Sequence, residues 1–448
     1  MFVGFDYGTA SCAMAQMVDG KPQLIQLEGE NCFIPSTLCA PTREAVSEYL
    51  FKHWNIPPIS QIGEQLLHQA VAFNRKEDIR VDSQSLQFGQ AALDLYVEDP
   101  EEVYYVKSPK SFLGVTGLQD VQIALFENLV CAMMSNIKRQ AEKVLQLEIS
   151  QTVIGRPVNF QGNKGDDANH QALSILESAA RRAGFKEIEF QLEPVAAGLN
   201  FEQTLTLDKT VLVVDIGGGT TDCSIIKMGP SWLNATDRHQ GTLAHTGCRV
   251  GGNDLDIHLA HRKLMPLFGS ETKTLKGIDM PISQFWNPVA INNVAAQSDF
   301  YAKANRSDLE QLYRNAQKPE IFARLIKLYT EKLSYRVVRD AEKTKIALSE
   351  HNQHSVNLDY INESLEINAH ELAQAIAIPQ QKINELVDEA IKQAQVKPDV
   401  IYITGGSARS PILRNALQQQ LPNIEIIGGD YFGSVTSGLT YWAERCFR

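Results

Sequence analysis

Two short apolar runs, FVGFD at residues 2–6 and VLVVD at 211–215, each end in an aspartate and then turn on glycine, in DYGT and DIGGGT. Asp6 and Asp215 stand close to half of the 448-residue chain apart, far beyond the period of about 20 to 50 residues that marks a solenoid. The repetition predicts two related lobes with a cleft between them. After each turn the residues suit a second strand, SCAMAQMV at 11–18 and TDCSIIKM at 221–228, so the pattern is strand, tight turn, strand. A dinucleotide fingerprint would open a helix after its glycines, and a P-loop needs G-x-x-x-x-G-K-[ST]; the chain has neither in that setting. Any phosphate must be gripped by hairpin turns.

The residue types at those turns suit that task. Gly217, Gly218 and Gly219 let backbone N–H groups converge without Cβ interference, and Thr220 and Thr221 add hydroxyls. Asp6, Asp215 and Asp222 put three carboxylates at the mouths of the turns, where a hydrated Mg²⁺ and an attacking water belong. A lone glycine run reads more simply as a hairpin, and a lone Asp as turn chemistry; the pairing of the two turns favours phosphate and metal. The formal net charge of −11 argues against non-specific binding to nucleic acid or an anionic membrane. The start, MFVGFDYGTA, enters a strand without a basic leader region, and no run reaches about 18 apolar residues, so a cytoplasmic protein is expected. Seven cysteines without a C-x-x-C pair read as reduced thiols.

Further along, residues 44–80 are polar and helix-compatible around Pro57 and Pro58 and read as an inserted element of about 42–84. Helical apolar spacing marks 127–147 and 168–184, with Gly184 at a C-cap position, and predicts one long amphipathic helix over 321–350. VIYITGGSARSP at 400–411 is a strand and a glycine turn, followed by a helix that Pro411 begins.

GFDYGT, GRPVNF, EPVAAG, VVDIGGGTTDCSI, VGGNDLD and ITGGSARSP occur in the order and approximate spacing of the ATPase domain of the seventy-kilodalton heat-shock (DnaK-type) chaperones, which the chain resembles over nearly its whole length. The resemblance implies an α/β actin-like ATPase fold. Its two lobes, 1–200 and 201–448, would each hold a duplicated mixed β-sheet flanked by helices, with the nucleotide in the cleft between them. It implies ATP/ADP and Mg²⁺ as cofactors and slow ATP hydrolysis.

Residue by residue, the resemblance implies that Gly8, Thr9 and Gly217 to Thr220 contact phosphates, and that Asp6 and Asp215 hold magnesium waters. Asp222 would orient the catalytic water, and Glu193 would face the metal. Lys110, in SPKSFLG, would serve γ-phosphate cleavage. Gly405, Gly406, Ser407 and Arg409 would form the adenosine turn, and Glu342 and Lys345 would reach the ribose. Without the resemblance, Lys110 is a solvated loop lysine, Glu193 a helix-capping acid, and Glu342 with Lys345 a helical ion pair.

Three departures stand out. Ile346 occupies the place of an arginine that stacks on adenine. Ala10 replaces a second threonine, a loss of about 0.5 to 1.5 kcal/mol for one neutral hydrogen bond. Nothing after FGSVTSGLTYWAERCFR matches the family's linker and peptide-binding domain, so an ATPase-domain-only member is expected, signalling to a protein partner or client. Other readings on the same fold are a small-molecule kinase and a nucleotide-dependent scaffold or filament protein.

Overall fold

Runs rich in valine, isoleucine and phenylalanine become strands where both faces are covered. The computed structural model describes residues 1–100, 102–160, 165–233, 235 and 238–448 and contains two compact units. The larger comprises Met1–Val250, Ile383–Ala408 and Leu417–Arg448. Its first sheet is built from β1 (Phe2–Tyr7), β2 (Ser11–Val18), β3 (Lys21–Leu24), β4 (Gln151–Arg156) and β5 (Glu187–Leu192). These lie in the order β3-β2-β1-β4-β5, with Ile34–Pro35 added against β2. The second sheet uses β6 (Lys209–Ile216), β7 (Thr221–Met228), β8 (Thr242–Cys248), β9 (Val400–Thr404) and β10 (Glu425–Gly428) in the order β8-β7-β6-β9-β10.

The two orders are the same pattern. Each sheet centres on an antiparallel hairpin, β1 with β2 and β6 with β7, and continues through parallel strands. The sequence repeat is thus a repeat of topology, and both predicted strand-turn-strand units form. Register sets the chemistry: Asp6 lies opposite Ala13, whereas Asp215 lies directly opposite Asp222.

One apolar core fills the first sheet, with Val3, Phe5, Tyr7, Met14, Ile154 and Phe185 among its fully or nearly fully buried members. A second core joins Val153 of the first sheet to Val211, Val213 and Tyr402 of the second, through Ala196, Ala197 and Leu439. The last two groups come from helices Glu193–Glu202 and Ser434–Phe447. Their close approach depends on Gly438, where an added Cβ would fall on the backbone carbonyl of Ala196. Gly438→Val is therefore expected to cost about 3 kcal/mol through overpacking against backbone that cannot rotate away. Urea unfolding checks this, and a wild-type midpoint would contradict it.

The segment between the strands Thr37–Ala40 and Gln87–Phe88 forms two helices, Arg43–Trp54 and Gln61–Lys76. Thr42 and Ser60 cap them by accepting the amides of Ala45 and Gly63, each at 3.1 Å. Helices Asp120–Leu145 and Gly165–Arg182 match the two expected packing helices. Gly184 takes φ +99 and donates its amide to the Arg181 carbonyl at 3.0 Å, as a helix-ending glycine does.

The smaller unit comprises Gly251–Lys382 and Arg409–Ala416. It holds helix Gly252–Leu259 and the hairpin of Gln353–Leu358 with Glu363–Asn368. The single helix expected over 321–350 is two helices, Pro319–Thr330 and Ser334–Ala347. Lys332 breaks them with φ 50, a left-handed conformation that is uncommon outside glycine. The apolar stripe changes phase there: Phe322, Leu325 and Leu328 are buried on the first helix, Val337, Val338 and Ala341 on the second. Helix Pro411–Gln420 starts on Pro411 as expected.

Candidate functional site

The first glycine turn is tied to the loop that carries Lys110. Ser36 donates its amide to the Ala10 carbonyl at 2.9 Å, and Ser108 donates its amide to the Ser36 carbonyl at 2.8 Å. The Ser108 hydroxyl donates to the Thr9 carbonyl at 2.6 Å, from a backbone with φ 58. Lys110 follows in the 3₁₀ turn Pro109–Phe112. It is not a solvated loop lysine: it is 5% exposed, and its Nζ donates to Glu193 Oε1 at 2.6 Å and to the Gly155 carbonyl at 3.2 Å. Glu193 opens its helix but spends its carboxylate on Lys110 rather than on a cap.

Three more carboxylates meet around this pair. Burial and the Glu193 charge push Asp6 up to about 7, with Lys110 pulling the other way. Burial, then Glu193, push Asp222 to about 7, although Thr220 and the Val158 amide, at 2.6 Å, both donate to it. Asp215 rises well above the carboxylate range through burial, Glu193, Asp222 and Asp6. Burial disfavours the charged Lys110, but Glu193 and Asp6 outweigh that and raise its pKa. Buried anions that hold one another's pKa values up form a place where added positive charge is favourable.

The second glycine turn is closed by the Gly217 amide, which donates to the Thr220 carbonyl at 3.0 Å. None of its three glycines takes a positive φ, so space rather than handedness requires them. A Cβ on Gly218 would sit 2.8 Å from Cβ of Ala10, and one on Gly219 would sit 2.8 Å from Cγ2 of Thr9. The two turns, far apart in sequence, face each other at contact distance. Gly8 is likewise cramped, against the Ser11 carbonyl.

Gly405 follows β9 with φ +86, and a Cβ there would strike the Ile216 carbonyl. Gly406 and Ser407 enter a 3₁₀ turn, and Gly406 lies under the ring edge of Phe432. In the smaller unit, Arg409 forms an exposed ion pair with Glu350 at 3.1 Å, a contact of the kind that contributes little. Lys345 does not pair with Glu342: its Nζ reaches buried Asp256 at 2.7 Å and the Gly252 carbonyl at 3.1 Å. Glu342 lies half-buried on the same helix, and Ile346 is 56% exposed.

Sequence reasoning missed three members of the cluster. Ser108 and the Val158 amide carry no local signal. Arg156 stands inside the GRPVNF string, none of whose residues was given a role; it ends β4 half-buried, in the field of Asp222 and Glu193.

A family model described as Hsp70 protein matches residues 117–285. Over 94% of its length the chain is 24% identical to the chaperone protein dnaK of Emiliania huxleyi. It is 23% identical, again over 94% of its length, to the chaperone proteins of the same name from Thermus thermophilus and Cyanophora paradoxa. Each match covers 56% of the relative, so the chain spans about half the length of the curated relatives it matches. By these matches the chain is similar to the Hsp70 family, and its duplicated mixed sheets with their flanking helices form an actin-like ATPase fold.

Proposed function

We propose that the chain binds ATP with Mg²⁺, hydrolyses it slowly, and acts in the cytoplasm as a nucleotide-switched, chaperone-like protein through a protein partner or client. The observation that carries this reading is the meeting of two glycine turns over four carboxylates and one buried lysine. Among the described residues no group of three or more His, Cys, Asp or Glu is placed to grip a metal directly. A cation would be held through its waters by Asp6 and Asp215. When bound, Mg²⁺ would neutralise phosphate charge; the remaining work falls to the chain.

Gly8, Thr9 and Gly217 to Thr220 would donate to the phosphates. Asp222, steadied by Thr220 and the Val158 amide, would orient the attacking water, and Glu193 would face the cation. Lys110 would exchange Glu193 for the γ-phosphate, offsetting charge that spreads over its oxygens in the transition state. Gly405, Gly406, Ser407 and Arg409 would hold adenosine, and Glu342 and Lys345 the ribose. The lobes would divide at 1–200 and 201–448. The net charge of −11 argues against non-specific binding to nucleic acid, and no helix among the described residues is long and apolar enough to cross a membrane.

Phosphate release from Mg-ATP without any added acceptor tests the proposal. Slow release supports it. Release only when a small acceptor is present would replace it with a kinase, and ATP-dependent sedimentation without release would replace it with a scaffold.

A further inference from the structure

Among the described residues, two cations stand near Asp222 and Glu193 inside the carboxylate cluster, and one of them is committed. Lys110 Nζ is held at 2.6 Å by Glu193 and at 3.2 Å by the Gly155 carbonyl. The other is Arg156, the last residue of β4. Its chain neighbours lock it to the site from both sides. Gly155 accepts from Lys110, and its Cβ position lies 3.2 Å from Cγ of Glu193. Two residues on, the Val158 amide donates to Asp222 at 2.6 Å.

Despite this placement, the guanidinium makes no ion pair among the described residues, and its hydrogen bond is one long contact of 3.4 Å to the adjoining Pro157 carbonyl. It is half-buried, and burial lowers its pKa while Asp222 and Glu193 sustain its charge. A structural arginine at such a site would be satisfied by a carboxylate. A guanidinium with unspent donors beside a candidate phosphate site suits a planar, multi-oxygen anion, which it can engage through two parallel bonds where lysine offers a point charge.

We propose that Arg156 is a phosphate-contacting residue that grips the terminal phosphate of the bound nucleotide alongside Lys110. The inference rests on the nucleotide reading above. It makes β4 a contributor to catalysis through the residue before Pro157, and it gives the site a way to tell a triphosphate from a diphosphate.

The test compares dissociation constants for Mg-ATP and Mg-ADP, and the rate of phosphate release, in the wild type, Arg156→Gln and Arg156→Lys, each checked for a native melting transition. Arg156→Gln is expected to weaken ATP about tenfold relative to ADP and to slow release by a similar factor. Arg156→Lys, with its charge but not its fork, is expected to recover part of both. An unchanged ATP-to-ADP ratio in folded Arg156→Gln overturns the assignment. Should that variant not fold, an unchanged ratio in Arg156→Lys overturns it instead. A wild-type protein that binds neither nucleotide overturns the reading beneath it, a result distinct from loss of the ratio alone.

Discussion

Lys110→Ala will still bind Mg-ATP but release phosphate roughly 100-fold more slowly, the usual effect of removing one preorganised charge at a transition state. The backbone donors proposed for the nucleotide, in the turns at Gly8 and Gly217–Gly219, are untouched by the change, so binding and turnover should separate. The variant also leaves Glu193 in a cluster of buried acids without its 2.6 Å partner, and about 3 kcal/mol of stability should be lost with it. Adding Glu193→Gln is expected to restore most of that stability without restoring turnover. Equilibrium binding, single-turnover phosphate release and urea unfolding on the three proteins check each part. A Lys110→Ala variant with native turnover would remove lysine from the chemistry.

Asp215→Asn should make the ligand-free protein more stable at pH 8, seen as a higher urea midpoint. Asp215 faces Asp222 directly across the β6–β7 hairpin, a like-charge pair that sheets avoid, and Glu193 and Asp6 add to the repulsion. With Asp6 and Asp222 pushed up to about 7, the folded protein holds protons that the unfolded chain has already released. Stability from these groups is full below the ordinary carboxylate range and is lost as the pH rises through about 7.

The ligand-free wild type should therefore be less stable at pH 8 than at pH 6.5, and Asp215→Asn should flatten that slope. The comparison belongs above pH 6.5. Burial lowers His261 and, together with neighbouring positive groups, brings His258 to about 4, so their contribution is present above the unfolded histidine range and is lost as pH falls towards 4. Urea midpoints at the two pH values decide the matter, and a variant less stable than wild type at pH 8 would contradict it. The same substitution is expected to abolish the magnesium dependence of nucleotide binding, so stability is gained where function is lost.

Local pattern carried much of the fold. The two apolar runs ending in aspartate became β1 and β6, and the residues after each turn became β2 and β7. Their signals are periodicity and glycine placement, which lie within a few residues of the structure they cause. The break at Lys332 was not legible, because no glycine or proline marks it and tertiary packing alone favours the left-handed residue. Nor was the Lys110–Glu193 contact, whose partners stand 83 positions apart; a solvated lysine and a capping acid were the simpler readings of each alone. Helical spacing pairs Lys345 with Glu342, yet packing of helix Gly252–Leu259 supplies Asp256 instead. Such pairings depend on which distant elements meet, and a single sequence records the residues without recording the meeting.

Calorimetric titration of ATP into the ligand-free protein, with Mg²⁺ and again with a chelator, tests the central claim most directly. The account predicts saturable one-to-one binding that weakens by about tenfold or more without the cation, because the acids at Asp6, Asp215 and Asp222 would then meet the phosphates unshielded. Absence of binding, or equal affinity with and without Mg²⁺, would contradict it.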